Sequence, residues 1–149
     1  MIECVDLKTL TLYQKGNTSV IQHFLLTSFQ GLYHSIPQLD VIGFGGEGGE
    51  YVGFRKEADQ GYTLMIQDDR TEQKLVIYRG QVVSNDIRSV FEGYDPRIRP
   101  WYAPVADSLS PMWSSIYANA DERQEITLSA LTPVFLWRYC QPLSSNRHH

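Results

Sequence analysis

Cysteine is scarce in this chain of 149 residues, with Cys4 and Cys140 the only two. Two thiols cannot build a disulfide framework or fill a four-ligand zinc site, so each reads as a plain thiol. Long apolar runs are missing as well. None reaches the roughly 18 residues of a membrane span, and nothing resembles the hydrophobic region of a secretory signal. Basic residues are a minority, 13 Lys+Arg against 17 Asp+Glu, and they do not cluster, which argues against a nucleic-acid surface. Of the four histidines, His23 and His34 have no acidic or cysteine partner at ligand spacing, and His148 and His149 close the chain. No metal site is expected. No G-x-S-x-G elbow or comparable nucleophile arrangement is present, so neither a catalytic residue nor a cofactor is expected.

What is present is 42% hydrophobic and 12% aromatic residues with a net charge of −4, the composition of one soluble folded domain rather than a disordered chain. Residues 1–16 alternate weakly (Ile2, Val5, Leu7, Leu10, Leu12) and fit either a strand or a helix. Asn17, Thr18 and Ser19 are N-cap candidates for a helix carrying Val20, Ile21, Phe24, Leu25, Phe29 and Leu32 at i, i+3/i+4 spacing, ended before Pro37. The period then changes to two. Leu39, Val41 and Ile42 lead through the glycine-rich run 43–49 into Tyr51, Val52 and Phe54, which reads as a hairpin. Tyr62, Leu64 and Ile66 make a third strand ended by Asp68-Asp69, and Leu75–Tyr78 a fourth ended by Gly80. A short helix is expected from Pro100. Met112–Tyr117 and Glu125–Phe135 read as two further strands. The expected class is α+β with an antiparallel sheet.

The run Gly43-Phe44-Gly45-Gly46-Glu47-Gly48 formally matches G-x-G-x-x-G. A dinucleotide loop needs a helix directly after it, and the strand-like 50–54 follows instead, so a hairpin turn is the better reading. The segment Tyr94–Tyr102 is different. It packs two arginines, two tyrosines, a tryptophan and two prolines into nine residues. Pro96 and Pro100 stiffen the backbone, an arginine fork matches a carboxylate, and the aromatics offer apolar walls with polar tips. Such a set suits a small-anion pocket. It equally suits a packed loop in which Arg97 pairs with Asp95 and Trp101 fills the core. Spacing alone leaves both readings open.

Tyr94-Asp95-Pro96-Arg97-x-Arg99-Pro100-Trp101-Tyr102, followed by Pro111-x-Trp113-x-x-x-Tyr117 and Ile126-Thr127-Leu128-Ser129-Ala130, resembles the double Cache sensor family. The resemblance runs from about the first helix to Phe135. It implies a PAS-like ligand-binding module over 38–135, a helical region over 1–37 and an atypical tail over 136–149. It also implies a short helix after the Tyr94–Tyr102 motif and a place on the extracytoplasmic (periplasmic) face of the inner membrane. The parent would be a transmembrane receptor of chemoreceptor, histidine kinase or diguanylate cyclase type, touching the membrane only through segments outside this chain. By this likeness Arg99 and Trp101 hold the carboxylate of an amino acid or other small organic ligand. Tyr94 and Tyr102 shape the pocket, and Tyr117 contacts the ligand. A homodimer through the N-terminal helix is implied too. Two acidic positions that would receive a ligand ammonium do not carry over: Asn119 stands where one aspartate is expected and is the sixth ligand-binding residue implied, its neutral carbonyl able to accept from an ammonium, and the other has no counterpart. After Phe135 the pattern of a returning Gly-Val-rich strand is lost, which suggests a truncated or reading-frame-altered fragment. In a PAS-like sheet that strand sits in the middle, beside the first.

Overall fold

The rhythm Ile21, Leu25 and Phe29 becomes the buried stripe of helix α1 (Ser19–Leu32) in the computed structural model, which describes residues 14–59, 61–120 and 123–134. The alternation before Gln14, Phe135 and the tail 136–149 lie outside the described residues. Thr18 is the N-cap of α1 but its side chain makes no capping bond, and Asn17 before it accepts at Oδ1 from the Ser19 N–H at 3.0 Å and from the Ser19 hydroxyl at 2.7 Å. Beyond Leu32 the chain turns through the Ile36 N–H bond to the Leu32 carbonyl, 2.9 Å, and reaches Pro37 without resuming a helix. Among the described residues no helix is long and apolar enough to cross a membrane.

Five strands follow: β1 (Val41–Gly45), β2 (Tyr51–Lys56), β3 (Tyr62–Gln67), β4 (Leu75–Tyr78) and β5 (Ile87–Phe91). They form one sheet in the order β1-β2-β3-β4-β5, antiparallel throughout. The protein is thus α+β, with a five-stranded antiparallel sheet and a helix on it. β5 is absent from the sequence expectations, and its alternation is hidden by the half-buried Arg88 and Ser89. The glycine turn is shorter than expected. Gly46 and Gly49 close it, with Gly46 N–H donating to the Glu50 carbonyl at 2.9 Å and Gly49 at φ +90°, whereas Gly43 and Gly45 belong to β1.

The pleat sends alternate residues to opposite faces. One face carries Val52, Phe54, Leu64, Ile66, Val76 and Tyr78, sealed by Ile21, Leu25 and Phe29 of α1. The other carries Met65, Leu75 and Ile77, packed by Val41, Tyr51, Phe91 and Tyr94. The second face is where the Tyr94–Tyr102 segment lies. Asp68, fully buried after β3, ties α1 to the sheet by accepting from the Thr18 N–H at 3.0 Å and hydroxyl at 2.8 Å and from Arg70.

The later chain is more broken than expected. The segment after Tyr94 makes a single 3-10 turn at Pro96–Ile98, and α2 (Ala103–Ser108) begins three residues beyond Pro100, with Pro104 in its first turn. Met112–Tyr117 divides into β6 (Met112–Trp113) and β7 (Tyr117–Ala118). Glu125–Phe135 divides into β8 (Ile126–Thr127) and β9 (Ala130–Leu131). β6 pairs with β9 and β7 with β8. Between the ladders Ser129 N–H donates to the Ser114 hydroxyl at 2.9 Å and Ser114 N–H to the Ser129 carbonyl at 2.8 Å.

Candidate ligand-binding site

Asp95 sets the local geometry by accepting from the Arg97 N–H at 3.0 Å, which starts the 3-10 turn on Pro96. The same carboxylate holds the Arg97 guanidinium through Nε at 2.9 Å and Nη2 at 3.1 Å. That hydrogen bond to Arg97 outweighs a smaller burial effect and keeps Asp95 below the usual carboxylate range. Arg97 also donates to the Glu47 carbonyl at 3.2 Å. The pairing that spacing alone leaves open is therefore made, and Arg97 is a structural cation.

The turn then lifts Trp101 and Tyr102 over the sheet. Trp101 packs 5.7 Å from Tyr51 and 5.9 Å from Tyr102, ring centre to ring centre, and Tyr94 meets Tyr51 edge-on at 5.9 Å. Glycine makes this approach possible. A Cβ on Gly45 would stand 2.7 Å from Trp101 Cη2 and 3.1 Å from Tyr102 Cδ2, and one on Gly43 would stand 2.9 Å from the Tyr51 hydroxyl. The glycine-rich run thus serves the aromatic platform as well as the turn. It feeds β2 rather than a helix, so it lacks the helix N-terminus of a phosphate loop.

Arg99 leaves the turn in extended geometry and reaches the β7–β8 ladder. Its Nη2 donates to the Ala118 carbonyl at 2.7 Å, and its guanidinium lies 5.8 Å from the centre of the Tyr117 ring. Tyr117 is anchored by a 2.7 Å bond between its hydroxyl and that of Ser129. Burial pushes Tyr94 up to about 12, against the opposing pull of Arg99 and of the Trp101 indole bond, with Tyr117 also near enough to raise it. Tyr94, Arg99, Trp101, Tyr102 and Tyr117 are thus gathered on one side of the sheet. Asn119 directly follows β7, and its backbone N–H donates to the Glu125 carbonyl at 2.9 Å, which continues the ladder that carries Tyr117.

Two residues of this region carry no sequence signal. Tyr51 looks like any strand residue, yet both Tyr94 and Trp101 pack on it. Gln67, 3% exposed, donates through Nε2 to the Gly49 carbonyl at 2.9 Å and the Tyr94 carbonyl at 2.7 Å, locking the motif to the hairpin turn. A cleft of about 560 Å³ opens beside this lock, lined by Lys15, Glu50, Gln67, Asp69, Tyr94 and Arg97 among others. Of the six residues expected at the site it includes Tyr94 alone. Among the described residues no three His, Cys, Asp or Glu side chains are grouped to hold a metal ion.

Comparison with protein-family models, with curated proteins and with solved structures finds no match to this chain. The site is therefore judged by its own chemistry. Tyr94 gives one test of the packing. Because its folded pKa is raised, it favours the protonated fold, so its contribution is complete below pH 10.0 and is lost as pH climbs through about 12. Alkaline unfolding followed by circular dichroism is expected to steepen in that window, and Tyr94→Phe to flatten it. An unchanged profile in Tyr94→Phe would show that the hydroxyl is not buried as described.

Proposed function

We propose that this chain recognises a small organic ligand bearing a carboxylate, as the input module of a transmembrane sensor of the double Cache kind, exposed on the extracytoplasmic face of the membrane. One observation carries the reading. Arg70, Arg79, Arg88, Arg97 and Arg123 each pair with an Asp or Glu carboxylate, whereas Arg99 has none among the described residues. The single hydrogen bond of its guanidinium there is to a neutral carbonyl. Half-buried Arg99, its guanidinium over the Tyr117 ring and near enough to Tyr94 to act on its hydroxyl, retains donors that a carboxylate can take up as a bidentate pair. Tyr94 and Tyr102 supply walls and hydroxyls. The Asn119 amide accepts from an ammonium group without cancelling its charge, so a ligand without an amine suits the site at least as well as an amino acid.

Ligand would draw the ladder carrying Tyr117 and the segment carrying Trp101 together over β1. A second reading is a ligand-free spacer that self-associates through α1, favoured by the exposed Val20 and Phe24 on that helix. Thermal unfolding with a panel of amino acids and small carboxylates separates the two. At least one ligand is expected to raise the melting temperature by mass action, and Arg99→Ala to remove that rise while leaving the ligand-free melting temperature close to wild type. A rise that survives Arg99→Ala would reject the site. No rise with any carboxylate, combined with a dimer that Phe24→Lys dissolves, would favour the spacer.

A further inference from the structure

Among the described residues β1 and β5 are the two edges of the sheet. The bonds flanking β1 fix which way each of its residues faces. Lys56 N–H donates to the Asp40 carbonyl at 2.8 Å and Gly46 N–H to the Glu50 carbonyl at 2.9 Å. An antiparallel ladder alternates, so Ile42 and Phe44 turn their N–H and C=O groups toward β2. Val41, Gly43 and Gly45 turn theirs outward.

The two edges are guarded unequally. β5 carries Arg88, paired to Glu57 at 3.3 Å, and its register with β4 is interrupted at Ile77/Tyr78. Charge and register breaks of this sort are what keep an edge from pairing. β1 reads Val-Ile-Gly-Phe-Gly, with no charge, no proline and an unbroken register. Gly43, at its midpoint, is exposed.

The outward row is also complementary to itself. In an antiparallel register centred on Gly43, Gly43 faces Gly43 of a second copy, and Val41 faces Gly45 on both sides of the axis. Every outward donor then meets an outward acceptor. The same register sets Ile42 opposite Phe44 twice, on the face that α1 covers, and such aromatic–β-branched pairs favour sheet formation. A register with this two-fold symmetry closes on itself, as an isologous contact must. Asp40 and Glu47, acidic at both ends of the strand in both copies, confine the pairing to β1.

We propose that β1 is an association edge for a second copy of this chain, joining two sheets into one about a two-fold axis through Gly43. The axis stands perpendicular to the sheet, so both copies of α1 lie on the same face. This contact is independent of the ligand site and of association through α1.

Amide hydrogen exchange of the 149-residue chain, measured by nuclear magnetic resonance over a range of protein concentrations, tests it. The expected result is that exchange at Val41, Gly43 and Gly45 slows about tenfold or more as concentration rises, while Ile42 and Phe44 stay protected throughout. Val41→Pro removes one outward donor, at the first strand position where proline is tolerated, and leaves the β1–β2 bonds intact. It is expected to abolish the slowing at Gly43 and Gly45 while β2 and β3 remain protected. Val41→Glu, which keeps the N–H and sets a carboxylate opposite Gly45 of the second copy and diagonal to its acidic Glu47, is expected to do the same should the proline variant fail to fold. Fast exchange at Gly43 and Gly45 at every concentration overturns the proposal. So does protection already complete at the lowest concentration, which would mean that this chain covers its own edge. Slowing that survives both variants overturns it as well.

Discussion

Replacing Asp68 by alanine is expected to destabilise the protein by about 3 kcal/mol, the low end of the range for breaking a buried ion pair. The low end applies because Arg70, with its side chain 29% exposed, can turn to water once its partner is gone. The Thr18 N–H and hydroxyl have no such escape, since Thr18 is fully buried. Asp68 also accepts from the Arg70 N–H at 2.8 Å and from Arg70 Nη2 at 2.9 Å, so a single carboxylate joins the start of α1 to the turn before β4. Against a typical domain stability of about 5–15 kcal/mol this is a large loss, and a fall of about 10 °C in melting temperature should accompany it. The pH dependence gives an independent reading. Burial alone would raise the Asp68 carboxyl, but the Arg70 and Thr18 hydrogen bonds together outweigh it and hold it below its ordinary 3.8. A depressed carboxyl stabilises the fold above that ordinary value, and the contribution is lost as pH falls through the lower, folded one. Urea unfolding of wild type at a series of acid pH values is expected to show the loss, and Asp68→Asn to lack it. A loss under about 1 kcal/mol for Asp68→Ala would show that α1 is held by its apolar face alone.

Gly45→Val is the second large expectation, because it changes the site without altering any residue that would touch a ligand. Its Cβ would stand 2.7 Å from Trp101 Cη2 and 3.0 Å from Cζ3, well inside contact distance. Both neighbours are rigid rings, so Trp101 must leave its place over β1. Overpacking of this kind costs about 1–3 kcal/mol. The displaced indole is expected to shift its fluorescence to longer wavelength, and the carboxylate-induced rise in melting temperature to vanish although Arg99 is intact. A Gly45→Val protein that keeps both the emission and the ligand response would show that Trp101 has no part in binding.

The parts of the fold legible in the sequence are those whose burial is periodic. Ile21, Leu25 and Phe29 announce α1 because only one stripe of it is buried, and β2, β3 and β4 show as apolar runs bounded by charge or glycine. β5 escapes because its stability comes from β4 beside it and from Glu57, which pairs with Arg88 from a distant part of the chain. No local pattern carries that information. The glycines of the hairpin mislead for a related reason. A sequence shows that Gly43, Gly45 and Gly49 lack side chains, but not that two of them make room for Tyr51 and Trp101 while the third adopts a positive φ. At the site, Tyr94, Arg99, Trp101 and Tyr102 stand within nine residues stiffened by two prolines, so their gathering follows from local geometry. Tyr117 joins them only because Ser129 and the β7–β8 ladder set it under Arg99, and Gln67 arrives from the end of β3.

Gln67 has a kinematic consequence. Its Nε2 is one atom with two protons, and both are committed, to Gly49 in the hairpin turn and to Tyr94 at the head of the motif. Those two loops cannot separate without breaking a bond at a buried amide. The Tyr94 end of the motif is therefore pinned to the hairpin turn, and any movement that parts the two must first break a hydrogen bond of that amide.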